Sequence, residues 1–301
     1  MCPLAQPHTA RSPRRVAQVR FGVLNAGFYG LGQSRKRAFL LAAAPGETMP
    51  DWPAPLTCFG SPQLAVPLPD GSSFCAVPQR GGAAPLRSVT VRDVIGDLPP
   101  VPNGASEAEL PYGGPPQSAF QADIRSASGL VGLAGPSGLR PPSQQLAAAA
   151  AVKQHVCKVL SDLNLHRCSL IPKESHHDWR YLRKLCQDDP SMDMFQGGAM
   201  TAAQPLVPLC LPNTEEKHNG WRGLYSRLDL GGHFPTSVTD PNPMGKVGQV
   251  FHPQQDRIVS VRECARSQGF PDTFQFYGQA RKVRCVLPPQ PSMREAPPQE
   301  S

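Results

Sequence analysis

The chain is short of aromatic residues and has no long apolar run. Only 7% of its 301 residues are aromatic and 40% are hydrophobic, so its core is modest for the length. The longest apolar stretches, Ala38–Ala44 and Leu146–Val152, are brief and Ala-heavy. Neither approaches the roughly 18 residues a bilayer span needs, which excludes an integral membrane protein. A secretory apolar segment is missing as well. The 9 Cys are odd in number and scattered, with no Cys-x-x-Cys, so neither a zinc ribbon nor a disulfide framework is suggested. Acidic residues are absent from residues 1–46, which carry Arg11, Arg14, Arg15, Arg20, Arg35, Lys36 and Arg37. Those seven cations equal the formal net charge of +7. A basic block of this kind suggests a polyanionic partner, most simply nucleic acid. A solvated tail or an Arg-rich transit sequence is the alternative, although Pro3, Pro7 and Pro13 break any amphipathic helix there.

Proline and glycine are plentiful, at 36 and 27 residues, and they divide the chain into ordered islands. Arg20–Tyr29 has the pattern of a strand entering a Gly-rich loop. Ala38–Ala44, closed by Pro45-Gly46, has the length and punctuation of a buried strand, which leaves the basic cluster in a turn between two strands. Thr90-Val-Arg-Asp93 is a capping-box pattern opening a short helix that Pro99-Pro100 stops. A helix is expected to start in the Ala run and continue through His155, Val156, Val159, Leu160 and Leu163; residues 172–204 read as polar and irregular. Trp221–Leu228 and Phe234–Thr239 have strand-like content, Asp240–Gly245 is a turn cluster, and Val250–Pro253 is a short extended piece. Ser260-Val-Arg-Glu263 is a second capping box, whose helix Gly269 and Pro271 end.

Two blocks carry a resemblance. Phe21-Gly-Val-Leu-Asn-Ala-Gly-Phe-Tyr-Gly-Leu-Gly-Gln-Ser-Arg-Lys-Arg37 resembles the Gln-x-Arg-x-Arg block of DNA (cytosine-5) methyltransferases. Ser260-Val-Arg-Glu-Cys-Ala-Arg-Ser-Gln-Gly-Phe-Pro-Asp272 resembles the Arg-Glu-x-Ala-Arg-x-Gln-Gly-Phe-Pro block near the end of the same enzymes. Between them, Leu209-Cys-Leu-Pro212, His218–Leu228 and Thr236–Lys246 are similar to the maintenance-type enzyme. Such enzymes flip the target base out of the duplex before acting on it. The resemblance implies that Arg37 bonds the cytosine and Arg35 the nearby backbone, tasks that suit the paired donors of a guanidinium. It implies an apolar concavity for the parental-strand methyl group at Cys210, Leu211, Trp221, Leu224 and Met244. A methyl group has no hydrogen-bonding capacity, so only a shaped apolar surface can read it. Taken without the family, Trp221, Leu224 and Met244 would serve equally as ordinary core. Lys246 matches a guanine-reading residue, while the family's next residue, Gln, is Val247 here, which weakens base readout. Arg262 would bond backbone carbonyls; Arg262 and Arg266 share a helix face, and an exposed basic helix explains Arg266 nearly as well.

Several family parts are missing. The nucleophile's Pro-Cys-Gln loop, the Glu-Asn-Val segment and the Gly-rich cofactor turn precede the Gln-x-Arg-x-Arg block in the family. The 20 residues before Phe21 contain none of them. The family's terminal Gln-x-Gly-Asn-x-Val-Pro-Pro block is also absent, and the position of a zinc-binding His is Asn213, so no structural zinc is expected. The resemblance thus implies an α/β fold: an incomplete Rossmann-like methyltransferase domain plus a small mixed target-recognition domain, with Pro/Gly-rich disordered segments. The expected boundaries are a basic irregular tail at 1–18 and a catalytic piece at 19–46. A recognition region follows at 47–257 with a low-complexity insert at 126–151. The chain returns to the catalytic domain at 258–278 and ends in a disordered tail at 279–301. The implied activity is methyl transfer from S-adenosylmethionine to cytosine in hemimethylated CpG DNA in the nucleus. This chain is expected to be inactive alone and to bind no cofactor or metal. The implied partners are DNA and the missing part of the methyltransferase domain, with no membrane. The alternative is a non-catalytic DNA-binding module or pseudo-enzyme.

Overall fold

The computed structural model describes residues 18–60, 65–75, 84–107, 109–126, 151–173, 177–197, 203–237 and 240–277. The expected insert at 126–151 and the two tails lie outside these residues, apart from Gln18, Ser126 and Ala151. The strands are β1 (Gln18–Asn25), β2 (Lys36–Ala43), β3 (Thr57–Cys58), β4 (Ala65–Pro67), β5 (Ser73–Cys75), β6 (Leu86–Arg87), β7 (Glu109–Pro111), β8 (Ala151–Lys153), β9 (Met194–Phe195), β10 (Gln204–Pro205), β11 (Ser226–Arg227) and β12 (Gln249–Phe251). The helices are α1 (Val91–Ile95), α2 (Ala119–Arg125), α3 (Asp162–Leu170), α4 (Trp179–Asp188), α5 (Cys210–Asn213) and α6 (Val261–Ser267). The fold is therefore a mixture of helix and strand. Its strands pair only in twos among the described residues: β1 with β2, β3 with β6, β4 with β5, β7 with β8, β9 with β10 and β11 with β12.

Both capping boxes form. Thr90 Oγ1 accepts the Asp93 N–H while Asp93 accepts the Thr90 N–H, and Ser260 and Glu263 repeat the arrangement at α6. Two apolar clusters form, and helix α6 contributes Cys264 to one of them. That one gathers Val91, Val94, Ile95, Phe120, Ile124 and Cys264 from α1, α2 and α6, with Phe234; the other gathers Trp179, Leu182, Leu211, Leu224, Tyr225 and Phe251.

The structure corrects the sequence expectations at several points. The helix expected to begin in the Ala run starts only at Asp162, capped by Ser161. Before it, β8 pairs with β7, and Gln154 takes a left-handed φ of 58° that ends the strand. The segment 172–204, expected to be irregular, contains α4, with Asp178 accepting the Arg180 N–H as N-cap and Trp179 and Leu182 buried. Among the described residues, Trp221–Leu228 supply only β11, and 234–237 supply only a bridge between Phe234 and Gln33; residues 238 and 239 lie outside them.

The apolar run Ala38–Ala44 does form a strand, but it is not buried. In the β1–β2 ribbon Val19 faces Ala42, Phe21 faces Leu40 and Val23 faces Ala38. Alternation along each strand puts all six on one face. Val19 and Leu40 are 60% and 68% exposed, so an apolar sheet face lies open to solvent. Such a surface invites association of copies. Light scattering of the purified chain is expected to show a mass that rises with concentration. Leu40→Lys should suppress that rise, and an unchanged rise would show that another surface is responsible.

Candidate nucleic-acid interface

The basic loop is held at both ends by side chains. Asn25, at the end of β1, is buried, and its Oδ1 accepts the N–H groups of Gly27 at 3.3 Å and Arg35 at 2.9 Å. The Arg35 carbonyl accepts the Ala26 N–H at 3.0 Å, closing the loop into a ring. Its other flank is fastened to residues 234–237. The Ser34 N–H donates to the Phe234 carbonyl, the Phe234 N–H to the Gly32 carbonyl, and Thr236 Oγ1 to the Ser34 carbonyl, at 2.8–2.9 Å. Gln33, fully buried, donates to Ser237 Oγ at 2.8 Å and Ser267 Oγ at 3.3 Å. Sequence reasoning quoted Gln33 as a motif letter but gave neither it nor Asn25 a role; the pairing of a polar residue with the loop's own ends was the available signal.

This frame presents Arg35 and Arg37. Arg35 is half-buried, and partial desolvation together with the neighbouring Arg37 charge lowers its pKa from the ordinary guanidinium value. Arg37 is exposed and donates to the Lys36 carbonyl at 2.7 Å. Among the described residues neither forms an ion pair with a carboxylate. Two adjacent guanidiniums without an acid attract an anion, and phosphate is the anion their forks fit.

The other residues singled out in sequence are linked by a chain of hydrogen bonds. Trp221 Nε1 donates to Thr214 Oγ1 at 2.8 Å, and Thr214 Oγ1 donates to the Cys210 carbonyl at 2.6 Å. Asn219, Gly220 and Trp221 take successive left-handed φ values of 51°, 69° and 44°, and Tyr225 takes 52°. For non-glycine residues such backbone costs about 1–2 kcal/mol each and persists only where surroundings hold it. Here Trp179 Nε1 donates to the Gly220 and Trp221 carbonyls, and Arg167 donates to the Tyr225 hydroxyl. The Tyr225 N–H donates to the Pro243 carbonyl at 3.1 Å, which joins the Met244–Lys246 loop to Leu224–Tyr225. Gly248 keeps that approach close: a Cβ there would lie 2.4 Å from Leu224 Cδ2. Leu211 and Leu224 are buried in the core, Trp221 is partly buried, and Cys210, Met244 and Lys246 are exposed.

Helix α6 meets the basic loop and residues 234–237 through Ser267, which lies 3.3 Å from Gln33 Nε2 and 2.8 Å from Ser237 Oγ. Arg262 is buried and donates to the carbonyls of Lys153, Pro271 and Phe274 at 2.8–3.1 Å. Arg266 is not on an exposed basic face. It is fully buried between Asp97 and Asp272.

A cavity of about 770 Å³ lies between α4 and the α5–Arg222 segment, lined by Arg180, Arg183, Glu215, Glu216 and Arg222 among others. Arg180 pairs with Asp178 and Arg183 with Glu215, both at 2.8 Å. Its charged walls give an adenine ring no apolar slot, so these residues do not fit S-adenosylmethionine. No helix among the described residues is long and apolar enough to cross a membrane.

Residues 149–286 match the family model for C-5 cytosine-specific DNA methylases. Over 276 residues the chain is 50% identical to DNA (cytosine-5)-methyltransferase 1B of Oryza sativa subsp. japonica, covering 90% of this chain and 16% of that protein. It is 44% identical over 276 residues to DNA (cytosine-5)-methyltransferase 4 of Arabidopsis thaliana, with the same shares of 90% and 16%. It is 40% identical over 309 residues to DNA (cytosine-5)-methyltransferase 1 of Mus musculus, covering 90% of this chain and 18% of that protein. The chain thus spans about 16% of the length of the plant proteins it matches.

Proposed function

Because the chain is a relative of the DNA (cytosine-5) methyltransferases over 90% of its length, we propose that it is the DNA-reading part of such an enzyme. The observation that carries this reading is the Arg35–Arg37 pair, which has no carboxylate partner among the described residues and is fastened to the segment leading into the recognition loops. Arg37 would hold the flipped cytosine and Arg35 the adjoining phosphate. Leu211 and Leu224, being buried, would floor a methyl-reading concavity, with Cys210, Trp221 and Met244 at its rim. Lys246 would read guanine, and Arg262 would fix the helix behind them. The substrate would be hemimethylated CpG DNA, in the nucleus. S-adenosylmethionine would supply the methyl group in the parental reaction. The β1–β2 ribbon and α6 would belong to the Rossmann-like domain, whose remaining strands would cover the open apolar face.

The 301 residues contain no Pro-Cys-Gln and no Glu-Asn-Val. We therefore expect no methyl transfer from this chain assayed alone, and incorporation of labelled methyl above background would overturn that. The second reading, a non-catalytic DNA-binding module, shares the same DNA contacts.

Fluorescence anisotropy with a hemimethylated CpG duplex tests both. Binding should weaken steeply with salt. Changing Arg35 and Arg37 to Ala should cost roughly tenfold in affinity and reduce the salt slope by about 1–2. Unchanged affinity and slope would remove the loop from the interface.

A further inference from the structure

We infer that Gln33 is a positioning residue that couples the Arg35 loop to α6 through Ser237 and Ser267. The inference rests on the reading of Arg35 as a phosphate ligand. Ser267 Oγ donates its single proton to the Cys264 carbonyl at 2.8 Å. The 2.8 Å contact between Ser237 Oγ and Ser267 Oγ must then use the Ser237 proton. Both hydroxyl oxygens are left to accept, and Gln33 Nε2, with two protons, serves both. Turned round, the amide could be served by at most one hydroxyl, and only by giving up the Ser237–Ser267 bond. The network therefore fixes the amide's orientation.

That orientation leaves Gln33 Oε1 buried with no hydrogen-bond partner, the one such side-chain atom among the described residues. A buried acceptor without a donor costs about as much as two ordinary hydrogen bonds contribute. Stability is thus not what this amide supplies. It supplies direction. Ser237 belongs to the segment that leads into the recognition loops, and Ser267 is the last residue of α6. Gln33 joins both to a loop whose next residue bonds Phe234 and whose second residue, Arg35, is pinned by Asn25. A rotation of α6 or of residues 234–237 is transmitted through Gln33 to the Arg35 backbone, so the cation moves with the recognition segment.

The test uses the full chain with Gln33→Met, Ser237→Ala, Arg35→Ala and the Gln33→Met/Arg35→Ala pair. It reads thermal melting and the salt dependence of binding to the same duplex. Gln33→Met should melt within about 2–4 °C of the parent, the shift expected of a near-neutral exchange. It should reduce the salt slope by about one phosphate contact, and Arg35→Ala should then add nothing further. Ser237→Ala should give the same signature more weakly. Additive effects of the two changes, or a full salt slope in Gln33→Met, would overturn the inference while leaving Arg35 as a DNA ligand. A silent Arg35→Ala would overturn both readings. Should Gln33→Met not fold, Ser237→Ala decides by the same criteria.

Discussion

Replacing Arg266 by Met is expected to cost about 3–5 kcal/mol of folding stability, the range for breaking a buried ion pair from one side. Arg266 Nε and Nη2 donate to the two oxygens of Asp272 at 2.9 and 2.6 Å, and Nη1 donates to Asp97 at 2.5 Å and to the Val94 carbonyl at 2.9 Å. All three charged side chains are nearly or fully buried. Burial alone would lower the Arg266 pKa, but the two carboxylates outweigh it and hold the group firmly charged. Met fills similar volume and donates nothing. Asp97 would keep Arg125, and Asp272 would keep the Tyr112 hydroxyl and the Arg262 guanidinium at 4.0 Å, but both carboxylates would stay buried with fewer donors. The same residue ties α6 to the end of α1 and to the chain leaving α6, so the loss falls on the apolar cluster that α1, α2 and α6 share. Arg266→Lys preserves the charge without the fork and should recover only part of the loss. Urea unfolding followed by Trp fluorescence checks this. A loss below about 1 kcal/mol for Arg266→Met would mean that the carboxylates find other partners or water, and that α6 is not held by charge.

What could be read in the sequence was local. The capping boxes at Thr90 and Ser260 were legible because both partners lie within three residues. The two family blocks were legible because their letters are contiguous. What failed depended on distance along the chain. Ala151–Lys153 joined the wrong element because its partner strand begins 42 residues earlier, at Glu109 (151 − 109). Arg266 looked equally suited to solvent because Asp97 lies 169 residues away. Gln33 had no visible role because Ser267 lies 234 residues away. The strand at β2 was recognisable from its apolar run, but burial also requires a covering layer, which a run of letters cannot report. Helix α4 is a different kind of miss. Asp178 followed by Trp179 and Leu182 is a local N-cap with apolar i, i+3 spacing, and it was hidden by the polar composition around it.

Stability is also expected to fall as pH drops from about 6.5 to 4, before the bulk of the carboxylates titrate. His252 is buried, and its Nδ1 accepts the N–H groups of Gln254 and Gln255 at 3.1 and 3.0 Å. The neutral ring therefore carries its proton on Nε2, which faces Glu263 at 3.5 Å. A second proton would have to displace two backbone donors. Burial first, and then the charges of Arg257, His155 and Arg227 against the attraction of Glu263, push the ring down to about 4. The folded value lies below the unfolded one, so the unfolded chain takes up the proton first as pH falls. The contribution is complete above about 6.5 and amounts to about 3 kcal/mol lost by pH 4. His155 adds in the same direction: burial lowers it, its Nε2 lies 3.0 Å from the Pro99 carbonyl and its Nδ1 2.7 Å from Ser260 Oγ. Glu263 acts lower on the scale. Burial opposes its charge, but Arg257 at 2.7 Å outweighs this and holds it well below the usual carboxylate range. Its contribution is present above about 4.3 and is lost below that pH. Melting temperatures between pH 7.5 and about 2.5 should therefore decline in two stages, one above about pH 4 and one below it. His252→Gln should flatten the upper stage and leave the lower one. A wild-type profile that is level from pH 6.5 to 5 would show that the two histidines take up protons in the folded chain as readily as in the unfolded one.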